Sequence, residues 1–506
     1  MFSQSQQAVI DRASDAVRSR TPLSLMVRSV AGSGKTKTAI GILEACPARS
    51  KKLALAFNKA AAEEIKARAE GIKNLEVKTI NSAGDSLLRT RSKRLVVKAD
   101  KISTDTAYLA ECDRRDGQKA HVFDFEKVVR LVTLAKARCL IPNSPRSAFA
   151  PGSDAWNELC ARYDVDADGS DIRMAKRILA MGIRNTNYVD FDDQCYLPVV
   201  HDISSRIYDI VVVDEAQDLS PAQQDLVGRF LRPGGVIVFV GDEAQAIYGF
   251  RGADSEGMET IARRYGCVRM ELDVSHRCSK AIVAEAAKHC RSILASDHAS
   301  EGTVREMRSY STDDFEPSDM VVCRNTAPLV SLGIQLILAG RPALLADSSL
   351  VPRIRSLAKA TIERGDEHLD EWLESTRSTR SGCVPQWATD LADCVRTMIS
   401  QVGCDMKAID KRLVQLETGD GGDPISLNTI HKAKGLEADR VWFLGPSFLP
   451  SPWAKAAWEL AQERNLAYVA VTRARSELIK IEPGPLAENM LQAMDRRRKA
   501  ATKNAA

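Results

Sequence analysis

The chain has 506 residues, 44% of them apolar and 27% charged, with a formal net charge of +4. At roughly 150 residues per domain this length asks for three or four structural units, and the composition excludes collagen, coiled coil and wholesale disorder. A charge so near neutrality does not diagnose a nucleic-acid partner, because a basic groove can coexist with acidic surface elsewhere.

Twelve cysteines are scattered without a C-x-x-C pair or a His/Cys cluster at ligand spacing, which favours reduced, buried thiols over zinc or an iron–sulfur cluster. The opening segment, Met1 to Ala13, is polar, and no apolar run approaches ~18 residues. The expectation is a cytoplasmic protein with no membrane partner.

Apolar runs at Leu23 to Val30, Leu53 to Phe57 and Val77 to Ile80 alternate with helical patterns, as in a parallel sheet covered by helices. The first run leads into Ser29-Val30-Ala31-Gly32-Ser33-Gly34-Lys35-Thr36, and the helical Thr38 to Leu43 follows. A strand, a small-residue loop ending in Lys-Thr, and a helix are the context of a phosphate-binding loop. Ala31, Gly32, Ser33, Gly34 and Lys37 then surround the phosphates of ATP, Lys35 reaches the β and γ phosphates, and the Thr36 hydroxyl binds Mg²⁺. Ser29 stands where the first glycine is usual.

Between Leu87 and Asn187 the chain turns to charged, mostly helical sequence broken by Pro142, Pro145 and Pro151, which reads as an insertion. The first sheet resumes at Ile210 to Val213, a buried-looking strand that ends in Asp214-Glu215-Ala216-Gln217-Asp218. Asp214 is placed to hold Mg²⁺, and Glu215 to orient and deprotonate the water that attacks the γ phosphate. Ser220-Pro221 reads as a helix cap with a first-turn proline. The strand Val236 to Val240 comes next.

A second alternating region starts near Leu272, with strands expected at Met320 to Cys323, Ile425 to Leu427, Val441 to Leu444 and Leu478 to Ile481. It is interrupted from Ala346 to Pro424 by amphipathic charged stretches that end in the turn-like Gly419 to Pro424. The end of the chain, with Arg496, Arg497, Arg498 and Lys499, reads as a frayed basic tail.

Asp214 to Asp218 together with Val240-Gly241-Asp242-Glu243-Ala244-Gln245-Ala246-Ile247-Tyr248-Gly249-Phe250-Arg251-Gly252-Ala253 resemble the UvrD/Rep/PcrA family of superfamily 1 helicases. Phe57 to Glu63, Ser275 to Cys278, Thr429 to Glu437 and Tyr468 to Ala474 extend the resemblance in the family's own order. The resemblance implies an α/β fold with two RecA-like parallel-sheet P-loop domains, each interrupted by a mostly helical inserted subdomain. The division expected is 1–86 and 188–270 for the first RecA-like domain with 87–187 inserted. The second comprises 271–345 and 425–490 with 346–424 inserted, and 491–506 is the tail.

By position, the resemblance implies that Gln6 reads the adenine edge and that Gln245 senses the γ phosphate. Arg277 and Arg473 supply positive charge from the second domain, and Glu437 and His276 contact nucleotide. A planar guanidinium suits a transition state that spreads charge over phosphoryl oxygens. Phe57, Tyr248 and Phe250 fall where the family stacks bases, and Asn58, Thr79, Arg251 and His431 fall where it touches the strand. Stacking suits a motor because every base has a π face. For each aromatic the competing reading is a core position, and for His431 a structural histidine.

Three departures stand out: Ala56-Phe57-Asn58-Lys59 is one residue tighter than the commoner form and closer to the F-box DNA helicase branch, Asn81 replaces a usual histidine, and His276 a usual tyrosine. The function expected is an ATP-dependent, 3′ to 5′ DNA helicase that uses Mg²⁺. It acts on single strands and their junctions with duplex, in DNA repair, replication or recombination. A protein loading partner is allowed for, and a monomer is expected without DNA. The alternative is a DNA-stimulated ATPase that displaces proteins from single strands. A small-molecule P-loop kinase leaves the distant arginines and the aromatic loops unexplained.

Overall fold

The computed structural model describes residues 2–115, 123–142, 154–249, 252, 257–365, 367–376, 384, 386–419 and 422–482. The basic run at 496–499 lies outside them. The chain divides into two compact units, Met1–Asp273 and Val274–Ala506.

In the first unit a helix, Gln4–Ser19, starts at Ser3 through a reciprocal capping box with Gln6 and packs against the next helix, Lys35–Ala45. Six parallel strands form the sheet, in spatial order Leu75–Thr79, Lys52–Ala56, Tyr208–Val213, Leu231–Gly241, Leu23–Ser29 and Val268–Leu272. The central strands are buried on both faces, as a parallel sheet requires, and Val27, Val212, Val238 and Val240 join helix residues Val9, Ile42 and Leu43 in one core. Leu23–Ser29 lies two strands away from Tyr208–Val213, and all of these strands end on the same edge. The loops leaving that edge carry Lys35, Phe57, Thr79, Asp214 and Asp242, which is where an open α/β sheet puts its ligand.

The segment between the strands Leu75–Thr79 and Tyr208–Val213 holds helices Lys101–Arg115, Phe125–Ala137, Ala155–Arg162 and Gly169–Arg184. Their apolar faces meet through Ile102, Val128, Leu131, Val132, Leu159, Ile178 and Leu179, all buried. A two-stranded parallel neck, Val96–Val97 beside Tyr188–Val189, leads into and out of this layer. Beneath the neck, Lys136 is 2% exposed and meets Asp190 at 2.5 Å and Asp193 at 2.8 Å, while Lys101 meets Asp193 at 3.4 Å. Lys101 also meets Asp105 at 2.9 Å, and buried charges occur in proteins when they are paired in this way.

The second unit has its own six-stranded parallel sheet, ordered Thr303–Met307, Ala474–Ile481, Ala438–Leu444, Met320–Cys323, Ile425–Thr429 and Ala343–Leu345. Helices Val351–Arg364, Glu367–Ser375, Gln386–Val402 and Met406–Thr418 follow its edge strand. Their Ile354, Leu373, Val395 and Leu413 share one core with Leu329, Leu345, Leu427 and Leu444, so these helices are built onto the sheet. Asp390 accepts from the N–H groups of Thr326 and Ala327 at 3.0–3.2 Å, capping the helix Thr326–Leu338 from another element. Among the described residues no helix is long and apolar enough to cross a membrane, and no group of three or more His, Cys, Asp or Glu is placed to hold a metal ion.

Candidate nucleotide site and nucleic-acid cleft

The loop after Leu23–Ser29 turns through Gly32 and Gly34, both in the left-handed region. At Gly34 φ +80° disfavours any side chain, and a Cβ there would meet Gln6 Nε2 at 2.6 Å and displace that amide. Gly34 caps the helix Lys35–Ala45 with no side chain, so the first helical N–H groups and the helix dipole face the loop. Ala31 and Ser33 are buried, and Lys37 is exposed with its ammonium 5.1 Å from the centroid of the Phe2 ring. Ser29 uses its hydroxyl to bond Gly241 O at 2.7 Å, which ties the loop's strand to its neighbour.

Gln6 donates to Ser33 O at 2.8 Å and accepts from Ser3 N–H at 2.9 Å. An amide has two donors and an oxygen with two lone pairs, so these bonds hold Gln6 against the loop and leave capacity for a second partner.

At the adjacent strand ends the acids converge on this loop. Thr36 Oγ1 donates to Asp214 Oδ2 at 3.0 Å, and Lys35 Nζ lies 3.5 Å from Glu215 Oε1. Burial, reinforced by the charge of Glu215, pushes the Asp214 carboxyl up to about 6, while Lys35 and the Thr36 bond pull it down. Glu215 sits at φ 53°, a left-handed conformation that costs a non-glycine residue roughly 1–3 kcal/mol and recurs at functional sites.

Gln217, to which the sequence motif assigns no separate role, helps to hold that geometry. Its amide donates to Glu215 Oε2, and its oxygen accepts the Asp242 N–H at 3.0 Å. Asp242 is fully buried, its carboxyl raised by that burial, and it takes a 2.6 Å bond from Gln245 Nε2. Lys35, Thr36, Asp214, Glu215 and Gln245 thus form one contiguous network. Its donors fit Mg²⁺, which takes one or two protein oxygens and completes its shell with water and phosphate.

A cleft of about 280 Å³ opens beside this network, lined by Phe57, Asn58, Asn81, Phe191, Tyr248, Asp218 and Ser220 among others, with Lys136 also reaching it. The Phe57 and Tyr248 rings stack with centroids 5.6 Å apart and planes 13° apart. Asn58 and Thr79 cap the helices Lys59–Arg68 and Ile80–Arg91, accepting from Ala61 N–H and Ser82 N–H. Phe250 and Arg251 lie outside the described residues.

Phe191 is an aromatic that the sequence reading did not single out. It is 57% exposed, and Asn81 donates to its carbonyl at 2.6 Å. Its neighbours Asp190, Asp192 and Asp193 read as a solvated acidic turn, which conceals a ring placed in the cleft.

In the second unit three candidates gather at Leu436-Glu437. Arg277 Nε meets Glu437 Oε2 at 2.5 Å, and Arg475 meets its other oxygen at 3.3 Å. Arg473 is buried and donates to Leu436 O, Val469 O and Thr472 Oγ1 at 3.0–3.1 Å. His276 is exposed, and His431 is half-buried on the short helix Ile430–Ala433, which follows the strand Ile425–Thr429.

Residues 11–266 match the UvrD/REP helicase N-terminal domain, and residues 404–482 match the UvrD-like helicase C-terminal domain. The chain belongs to the UvrD/REP helicase family. Its UvrD-like relatives include the ATP-dependent DNA helicase UvrD2 of Mycobacterium tuberculosis, 23% identical over 88% of this chain and 75% of that protein. The F-box DNA helicase protein 1 of Schizosaccharomyces pombe is 23% identical over 90% of this chain and 55% of its own length. The ATP-dependent DNA helicase PcrA of Bacillus subtilis is 34% identical over 22% of this chain and 14% of its own length. Within this UvrD-like frame, Ser29 acquires an interstrand bond and Asn81 a contact to the Phe191 loop, so two of the sequence's notable positions have structural work.

Proposed function

We propose that this chain is an ATP-dependent DNA helicase that moves 3′ to 5′ along single strands and opens the duplex at a junction. The observation that supports a nucleic-acid-dependent ATPase is the adjacency, on one sheet edge, of the Lys35–Glu215 and Thr36–Asp214 pairs and a cleft with stacked Phe57 and Tyr248, while the 3′ to 5′ direction is what the family resemblance implies.

Lys35 and the loop N–H groups hold the β and γ phosphates. Thr36 and Asp214 hold Mg²⁺, which when bound neutralises phosphate charge. Glu215 orients the attacking water and takes its proton, and Gln217 keeps that carboxylate aimed. Gln245 senses the γ phosphate through the Asp242 network, and Gln6 contacts the base of the nucleotide. Arg277, Arg473, Glu437 and His276 contribute from the second RecA-like domain. Phe57, Tyr248, Phe191 and Phe250 take bases, while Asn58, Thr79, Arg251 and His431 take backbone. Stacking supplies ~1–3 kcal/mol per base without reading sequence, so a motor can advance over any strand. The seven-segment division at 86, 187, 270, 345, 424 and 490, a cytoplasmic location and a monomer in the absence of DNA belong to the same reading.

The helices from 351 to 418 share the core of the second sheet instead of forming a core of their own. That favours a second reading, a translocase that strips proteins from single strands with little unwinding. The test measures ATP hydrolysis with and without single-stranded DNA, then unwinding of duplexes with 3′ or 5′ overhangs beside displacement of a bound protein. Strand-stimulated hydrolysis and opening of the 3′-tailed duplex are expected, with both lost in Lys35→Ala and Glu215→Gln while strand binding persists. Displacement without opening selects the second reading. Hydrolysis indifferent to DNA, or undiminished in either variant, overturns both.

A further inference from the structure

The neck of the first unit's inserted layer carries a concentration of charge that the nucleotide site and the cleft do not use. Arg89 to Lys98 contains five cations and no acid. Arg89 is tied to Asp85 at 2.6 Å and to Leu95 O at 3.3 Å. Arg91, Lys93, Arg94 and Lys98 are exposed, and among the described residues no carboxylate lies within ion-pair distance of them.

Backbone pairing fixes this segment: Val96 N–H bonds Asn187 O at 2.9 Å, and Lys98 N–H bonds Val189 O at 2.8 Å. The cations flank the two-residue strand: Arg91 ends the helix Ile80–Arg91, Lys93 and Arg94 lie in the turn that follows, and Lys98 comes directly after Val97, while Leu95 is buried and Val97 half-buried. Lys98 Nζ sits 4.7 Å from the centroid of the Tyr188 ring, itself 45% exposed. Like charges crowded into one short stretch of chain repel, an arrangement that an anion relieves.

The patch is close in the chain to the cleft. Tyr188 precedes Phe191 by three residues, on the order of 10 Å of extended chain at ~3.3 Å per residue. Phosphate oxygens match this chemistry, since lysine offers a point charge and arginine a planar fork.

We propose that Arg91, Lys93, Arg94 and Lys98 form a second nucleic-acid site that grips phosphodiester backbone beyond the base-contacting cleft. The proposal rests on the cleft being the base-contacting track. The backbone is that of the single strand leaving the cleft or of the duplex arm at a junction, which present the same phosphates.

The test is DNA binding by fluorescence anisotropy across a salt series, comparing the wild-type chain with the triple variant Lys93→Gln/Arg94→Gln/Lys98→Gln and with Arg94→Gln alone. Three DNAs are used: an oligothymidylate just long enough to fill the cleft, a longer one, and the short one joined to a hairpin duplex. On the DNA that reaches the neck, the slope of log affinity against log salt should become shallower by about 2 for single strand or about 3 for duplex, with Arg94→Gln giving about a third of that. Binding of the cleft-filling oligothymidylate should stay at the wild-type value, which also reports that the variant is folded. An effect on the longer single strand identifies strand backbone as the ligand, and one confined to the hairpin substrate identifies the duplex arm. Unchanged slopes on both larger DNAs, or equal losses on all three, overturn the second site. Failure of the wild-type chain to bind the short oligothymidylate refutes the base-contacting cleft itself.

Discussion

Replacing Lys136 with methionine tests how the inserted layer supports the cleft. Its ammonium lies 2.5 Å from Asp190 and 2.8 Å from Asp193, side chains 5% and 1% exposed, and the two acids bracket Phe191 in the chain. Methionine keeps much of the apolar stem but removes the ammonium from two buried carboxylates, which keep one backbone N–H each and share Lys101, 3.4 Å from Asp193, with Asp105. Removing one partner of a buried ion pair costs about 3–5 kcal/mol, because the remaining charge is desolvated without compensation. At about 2–4 °C per kcal/mol for large domains, the melting temperature should fall by roughly 6–20 °C. The half-saturating DNA concentration for hydrolysis should rise with it, since the loop that carries Phe191 loses one of its anchors and keeps the Asn81 bond. The double variant Lys136→Met/Asp190→Asn should recover part of both losses by removing one of the stranded charges. Thermal unfolding and DNA-dependent hydrolysis measure these effects, and a Lys136→Met protein that melts within about 2 °C of wild type would refute the reasoning.

Tyr248→Ala and Phe57→Ala each remove one stacking surface, so each should raise the half-saturating DNA concentration by roughly 5- to 150-fold, corresponding to ~1–3 kcal/mol per base. A DNA titration of hydrolysis reads this, and unchanged half-saturation in both variants would place the rings in the core instead of the track. Asp214 makes hydrolysis pH-sensitive through its metal. Burial and then Glu215 raise its carboxyl to about 6, and a proton competes with Mg²⁺ for the same oxygens. The Mg²⁺ concentration for half-maximal hydrolysis should therefore climb as pH drops through 6 and level off above 7. A Mg²⁺ requirement constant from pH 5 to 8 would count against Asp214 as the ligand.

The phosphate loop was legible in the sequence because its constraints are local. Positive-φ glycines, a following lysine and threonine, and a strand and helix on either side are all specified within about fifteen residues, a span on the order of one strand–turn–helix unit. The strand ending at Asp214 was readable for the same reason: an unbroken apolar run can only be a buried strand or helix segment, and two acids at its end mark an edge. The resemblance to UvrD-type helicases added the order of motifs, which family membership bears out.

Tertiary structure alone decided which polar residues are occupied and by what. Gln217 bridges Glu215 to a strand end twenty-five residues later, and Asp390 caps a helix sixty-four residues earlier, distances at which no sequence pattern specifies a hydrogen bond. Asp190 and Asp193 look solvated in the sequence because their neighbours are acids, and their neutralising lysines come from helices of the inserted layer. A side chain's chemistry is written in its own residue, but its charge balance and burial depend on partners that only folding brings within a few ångströms.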